Sequence, residues 1–382
     1  MAGKKITSRT AMCLMAVVGT DVGVAHATVY AQANLVSNGF VPAANIDPQL
    51  QNPWGIAYSP TGPFWVSDNN NDLATLYNGA GTKQGLVVAV SGGPTGQVFN
   101  TDSAGFGVGT TGAASFIFAG DKGTVSAWNR NAASVNGVSQ SSVVYTGPSG
   151  ASYNGLTQGT VGGATYLYAA DTGTNSVTVL DSNFRKVTLA GGFVDPVLPA
   201  GFAVFNTQVL KGRLFVAYAN ATGSGAVAEF NLDGTFVKQV AVGGTLNLAW
   251  GLDIAPSQFG DYSNDLLVGN LGDGRVNVYD PNTNAFLGQL TGPDGQAIAN
   301  PGLWALVNGN GGAGGSGDAV YFDAEGASGT DGVLGSLTAV PEPGSLALLG
   351  AGVLGIGLIR RERRSFGRRP GLPARRGLCV RG

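Results

Sequence analysis

Amide and carboxylate side chains return along this chain at intervals near fifty residues, and oxygen chemistry is what they offer. Asn52, Asn100, Asn154, Asn206, Asn247 and Asn300 form one series. Asp68, Asp121, Asp171, Asn220, Asn270 and Asp323 form a second, each closing an apolar run, with steps of 53, 50, 49, 50 and 53 residues. Such oxygens gathered around a concavity would suit a hard cation, and Ca²⁺ is the cofactor they point to, since it takes oxygen ligands and needs no histidine. The same residue types are also ordinary turn formers, because their short side chains hydrogen-bond to the local backbone. Trp54, Trp250 and Trp304 recur at matching positions. Their faces would either stack on sugar rings or pack one repeat against the next.

Other chemistry is excluded by what is missing. Between residues 28 and 340 there is neither histidine nor cysteine; His26 and Cys13 precede that stretch and Cys379 follows it. Cys/His zinc sites, thiol nucleophiles, histidine-ligated haem, a Ser-His-Asp triad and disulfides are all ruled out there. The same 313 residues carry nine basic and twenty acidic side chains, a net of −11. That balance repels phosphate backbones, so nucleic acid is not an expected partner. Glu229 and Glu325 are the only glutamates in the stretch, and both fall outside the loops of the Asn series.

The elements that must position these residues follow from the repeat. Phe64 to Asp68, Phe116 to Asp121, Tyr166 to Asp171, Leu214 to Asn220, Leu266 to Asn270 and Val320 to Asp323 are six equivalent apolar runs. After a Gly/Asn/Asp turn each is followed by a second run, such as Thr124 to Asn129 or Arg275 to Asp280. Each unit opens with a Gly-containing strand, as in Asn52-Pro53-Trp54-Gly55-Ile56, and ends with an outer one, as in Gly85 to Val90, Lys186 to Leu189, Phe236 to Val240 or Phe286 to Leu290. Four strands per unit and a period near fifty predict an all-β, six-bladed propeller of four-stranded antiparallel blades over residues 28–339. The sixth unit stops at its third strand near Leu337, and Asn34-Leu35-Val36-Ser37 is expected to supply the fourth and close the ring. In such a blade the entry loops (the Asn series) and the second-to-third turns (the Asp series) share one face of the disc. That face is the expected ligand site.

The two ends carry sorting information. Lys4, Lys5 and Arg9, an apolar run over 11–18 and Ala25-His26-Ala27 form a signal peptide over residues 1–27, with Ala25 and Ala27 flanking the peptidase site. The Sec translocon and signal peptidase are the implied partners. Near the other end Pro341, Glu342 and Pro343 precede an uncharged apolar stretch over 344–359 and then Arg360, Arg361, Arg363 and Arg364. That stretch is expected to be a membrane-crossing helix and the chain's sole membrane contact, with its arginines on the cytoplasmic side. Residues 365–382 read as a basic, disordered tail.

At these residues the chain resembles the PEP-CTERM sorting signals of Gram-negative bacteria, here over 340–364. The resemblance implies an exosortase-type sorting enzyme as partner, transient anchoring in the inner membrane, and then release or attachment at the outer surface. Residues 28–339 resemble a bacterial family of PEP-CTERM-associated, NHL/TolB-like six-bladed propellers. That likeness rests on Asn34-Leu35-Val36-Ser37, Asn52-Pro53-Trp54-Gly55-Ile56-Ala57, Leu198-Pro199-Ala200-Gly201-Phe202 and Asp265-Leu266-Leu267-Val268-Gly269-Asn270. Two functions follow. One is a non-catalytic binding or matrix protein, with extracellular polysaccharide among its partners. The other is a calcium-dependent hydrolase or lactonase, since propellers of this kind include enzymes with an axial Ca²⁺ held by Asn, Asp and Glu.

Overall fold

The computed structural model describes residues 28–340. The expected signal peptide with Ala25 and Ala27, the Pro341-Glu342-Pro343 motif, the apolar stretch and the arginine cluster lie outside the described residues. Six sheets stand around one axis, as the fifty-residue period requires.

Blade 1 comprises Pro53–Ala57, Phe64–Asp68, Leu73–Tyr77 and Lys83–Ala89; blade 2 comprises Pro94–Phe99, Phe116–Gly120, Thr124–Trp128 and Ser142–Thr146. Blade 3 is built from Tyr153–Val161, Ala164–Asp171, Ser176–Leu180 and Lys186–Val187, and blade 4 from Phe202–Leu210, Arg213–Asn220, Ser224–Phe230 and Phe236–Asn247. Blade 5 holds Ala249–Ile254, Leu266–Asn270, Val276–Tyr279 and Phe286–Gln289. Neighbouring strands within each of these sets of four are antiparallel.

Blade 6 contains Leu303–Asn308, Ala319–Ala324 and Val333–Val340, and its fourth strand is Val29–Ser37. The pairing runs antiparallel from Val29 opposite Val340 to Ser37 opposite Val333, with a bulge between Asn34 and Val36. The expected closure is therefore present, and it is longer than the four residues that signalled it. Tyr30 and Val36 point into the core, and the Tyr30 hydroxyl donates to the Phe259 carbonyl at 3.0 Å. Joining the first and last strands leaves no open seam in the ring.

The second strands are apolar without alternation because neighbouring blades cover both of their faces. Phe64–Asp68, Phe116–Gly120 and Leu266–Asn270 are buried at every residue. Six apolar clusters result, one between each pair of adjacent blades. Each fully buried aromatic or aliphatic side chain, such as Phe64 or Phe322, contributes about 1.5–3 kcal/mol of transfer free energy.

The repeat does not foretell two additions, of which the shorter, Asn45–Ile46, pairs parallel to the closing strand of blade 6. The hairpin Ser134–Val135 and Val138–Gln140, inside the third-to-fourth connection of blade 2, crosses to the outer edge of blade 1 and pairs parallel to it. Trp128 Nε1 donates to Ser139 Oγ at 2.8 Å and holds the crossing in place. Among the described residues no helix is long and apolar enough to cross a membrane.

Candidate functional site

The inner strands start on one face of the disc, the entry face, and the second-to-third turns lie on that face too. Asn52 sits there in the left-handed region at φ 49°. Its amide donates to Asn69 Oδ1 and Asn70 Oδ1 at 3.3 and 3.1 Å and accepts from Trp54 Nε1 at 2.6 Å. Asn154 and Asn247 also lie at entries, while Asn300 exchanges two hydrogen bonds with Gln32 of the closing strand, at 2.8 and 3.0 Å. Asn206 is within an inner strand, at a bulge, and donates to the Trp250 carbonyl at 2.7 Å.

Asn100 is a correction. It follows the inner strand Pro94–Phe99 and so belongs to the opposite face, where it donates to the Asp102 and Ala114 carbonyls and accepts from Gln158 Nε2 at 2.8 Å. Blade 2 is entered through Gly92 and Gly93 rather than an asparagine, so the Asn spacing there marks the other end of the strand.

The second series lies on the entry face as the spacing indicates, but its side chains do not converge on a ligand. Asp171 accepts from the Ser152 and Thr174 amides, both at 3.0 Å, and from Thr174 Oγ1 at 2.6 Å. Asn220 Oδ1 takes the Thr222 and Ser224 amides, Asn270 bonds Thr245, Asp273 and Asn277, and Asp68 accepts from Thr75 Oγ1 at 2.7 Å. Asp323 accepts the Ala305 amide at 2.7 Å. Asp121 lies beside Lys122 at 3.1 Å. Asp68, Asp171, Asn270 and Asp323 are completely buried. Among the described residues no three Asp, Glu, His or Cys side chains gather to hold a metal ion. Asp68 Oδ1 and Asp323 Oδ2 are buried inside separate blades with no hydrogen-bond partner among the described residues, and the series is not gathered at the axis, so the residues as placed do not fit an axial Ca²⁺.

Above the axis the three tryptophans meet. Trp54 stacks on Trp304 with centroids 3.7 Å apart, Trp250 meets Trp304 edge-on at 5.5 Å, and Phe205 lies 5.8 Å from Trp304. Phe205 belongs to blade 4 and Trp304 to blade 6, which are not neighbours in the ring. Their contact spans the axis and closes the channel at the entry face. Trp304 Nε1 donates to Glu325 Oε2 at 3.0 Å, a bond that favours the charged carboxylate, although burial pushes the Glu325 carboxyl upward on balance. Of the two uses open to these indoles, the structure realises packing between blades.

Below this plug is a cavity of about 350 Å³ to which all six inner strands contribute, with Tyr58, Thr101, Thr157, Gln208, Leu252 and Val307 among its walls. Its walls are mainly apolar, and its end at the exposed Thr101 and Pro60 lies on the face opposite the plug. Glycine lets the strands approach closely around it. A Cβ on Gly251 would stand 2.6 Å from the Trp304 carbonyl oxygen of the next blade.

Three polar groups that the repeat does not single out lie at the exit ends of the inner strands, and of these Tyr58 lines the cavity. Asp253 and Asn308 are at the ends of the inner strands of blades 5 and 6, and Tyr58 is just past that of blade 1. Burial pushes the Asp253 carboxyl up to about 7, against amide hydrogen bonds from Ile254 and Asn308. Burial, and then the Asp253 charge, push the Tyr58 phenol up to about 12. Asn308 donates to the Ile254 carbonyl at 2.8 Å, and its Oδ1 is buried with no partner among the described residues. The available signal was an acid placed inside an apolar inner strand, Leu252-Asp253-Ile254.

A model of the PEP-CTERM protein-sorting motif matches residues 339–364. Among solved structures the chain is similar to virginiamycin B lyase from Staphylococcus aureus, with TM-score 0.48, 11% identity, 82% of this chain and 100% of the other. It is similar to the PQQ-bound aldose sugar dehydrogenase of Streptomyces coelicolor, with TM-score 0.48, 16% identity, 81% of this chain and 98% of the other. Among curated proteins, R648 of Acanthamoeba polyphaga mimivirus is 30% identical over 326 residues, covering 79% of this chain and 78% of R648. L690 of the same virus is 31% identical over 330 residues, covering 79% of this chain and 84% of L690. With identity sustained over that much of both partners, the chain belongs to the family of the mimivirus proteins L690 and R648.

Proposed function

We propose that this is an exported binding protein of the cell surface or extracellular matrix, and that the blind channel is its ligand seat. The observation that carries this reading is the cavity itself, with Trp54, Phe205, Trp250 and Trp304 gathered at one end and Tyr58 and Thr101 at the other. Apolar walls with a few polar groups at the opening suit a ligand that inserts an apolar group and leaves a hydrogen-bond donor at the rim. A glycan or peptide segment has that form.

Export is supported by the PEP-CTERM motif. In this reading the Sec translocon passes the chain, signal peptidase cuts after Ala27, and the apolar stretch over 344–359 holds it until an exosortase-type enzyme cuts near Pro341-Glu342-Pro343. Binding is preferred to calcium-dependent hydrolysis because the oxygen ligands for an axial cation do not come together.

The test compares wild type with Val307→Trp, which fills the channel, in thermal-shift screens against peptide and oligosaccharide libraries. Ligands that raise the melting temperature of wild type but not of the filled variant are expected. A screen in which no hit depends on the open channel would remove the channel as the seat.

A further inference from the structure

Blade 4 differs from the others in its outer strand. Phe236–Asn247 is 12 residues long and runs on to the entry face, beyond the Phe236 to Val240 segment that its sequence pattern suggests. Ala226 pairs with Val242, yet Ser224 pairs with Asn247, so residues 243–246 are looped out between them. Gly243 and Gly244, at φ 64° and 62°, make that excursion sterically free. The loop forms one wall of a cleft of about 440 Å³ on the entry face between blades 4 and 5.

Backbone contacts hold the walls. Asn270 Nδ2 donates to the Thr245 carbonyl at 2.8 Å, the Leu248 amide to the Gly223 carbonyl at 2.9 Å, and Asn220 Oδ1 accepts the Ser224 amide at 2.9 Å. Other side-chain groups in the cleft are left free. Ser224 Oγ, the Asn247 amide, Asp273 Oδ2, Gln289 Oε1 and the Arg275 guanidinium line it without a side-chain hydrogen bond among the described residues. Among the described residues no carboxylate lies within 4 Å of the Arg275 guanidinium, which is exposed in a domain of net charge −11.

From this placement we infer that the cleft between blades 4 and 5 is a second binding site, for a hydroxyl-rich ligand bearing a carboxylate, namely a uronic acid residue. Hydroxyl groups both donate and accept, which matches the mixed set of Asn247, Gln289, Ser224 and Asp273. Arg275 supplies a planar fork for the carboxylate. Asp273 beside it disfavours a phosphate monoester, whose second negative charge would meet the aspartate. The lining has no aromatic ring, so recognition is by hydrogen bonds rather than by stacking.

Isothermal titration of the purified protein with galacturonic acid, trigalacturonate and the neutral trisaccharide maltotriose tests this. Trigalacturonate is expected to bind saturably, to weaken by about tenfold or more in Arg275→Gln and in Asn247→Ala, and to outcompete maltotriose by a similar factor. Binding of the monomer alone would identify a free sugar acid as the ligand, and preference for the trimer would identify a polymer; both sustain the site. Equal affinity for maltotriose, unchanged binding in both variants, or no binding of either acid overturns it. Because the cleft is separate from the channel, Val307→Trp should leave trigalacturonate binding intact. Loss in that variant would place the acid in the channel and refute the cleft without refuting the channel. Urea melts of Arg275→Gln and Asn247→Ala that overlay wild type confirm that the losses are local.

Discussion

The indole of Trp54 lies flat against that of Trp304, with centroids 3.7 Å apart and planes at 18°, and this pair joins blade 1 to blade 6 above the channel. Trp304 also meets Trp250 and Phe205, so one side chain bridges blades 1, 4, 5 and 6. Trp304→Ala is expected to cost about 3–5 kcal/mol, the range for deleting a buried aromatic. Urea denaturation measures the loss, and a cost under about 1 kcal/mol would show that the plug does not hold the ring together.

Closure by Val29–Ser37 is the second relationship open to test. Deleting residues 28–37 removes the buried Tyr30 and Val36 and exposes the edge of Val333–Val340. A sharp fall in melting temperature and self-association of the opened edge are expected. Calorimetry with light scattering reads both, and an unchanged melting curve would mean that the ring is stable without its fourth strand in blade 6.

Stability should fall as pH rises from about 4 to about 7. Burial pushes the Asp323 carboxyl from 3.8 up to about 7 and drives Asp68 well above the carboxylate range. A raised folded-state value means that the native protein keeps its proton while the unfolded chain loses it, so stability is greatest below the unfolded value and declines through this window. Asp47 acts in the opposite sense. Burial raises it, but Lys83, Tyr77 and the Gln49 amide prevail and hold it below its ordinary value, so its contribution is lost only on stronger acidification. In Asp323→Asn the amide oxygen can still accept from Ala305. That variant should show a flatter dependence in urea melts between pH 5 and 7.5, and an unaltered slope would remove Asp323 as its source.

Gly251→Ala places a methyl group 2.6 Å from the Trp304 carbonyl oxygen. Backbone on both sides cannot yield as a flexible side chain would, and a loss of about 1–3 kcal/mol is expected. A thermal melt of the single variant decides it; wild-type stability would show that blades 5 and 6 can separate at no cost.

Much of the fold was legible because a propeller repeats one local solution. Phe64 to Asp68 and its five counterparts are continuous apolar runs because each is sandwiched between neighbouring blades, and that requirement acts on every repeat alike. Asp171 and Asn220 fell at the predicted turns for the same reason. Asn100 was misplaced because residue type and approximate spacing do not reveal which end of a strand an asparagine occupies. The looped-out residues 243–246 and the hairpin Ser134 to Gln140 break the repeat, and periodicity carries no information about its own exceptions.

The candidate site divides along the same line. The chain's order of residues determined six blades, a closing first strand, an acidic domain free of histidine and cysteine between residues 28 and 340, and a sorting motif near its end. Only tertiary structure decided that the acidic series turns inward, that Trp304 reaches Phe205 from another blade, and that the Asp253 charge acts on the Tyr58 phenol. Those are relations between blades, set by how six sheets tilt and pack around a common axis, and no local spacing encodes the distance between side chains two hundred residues apart.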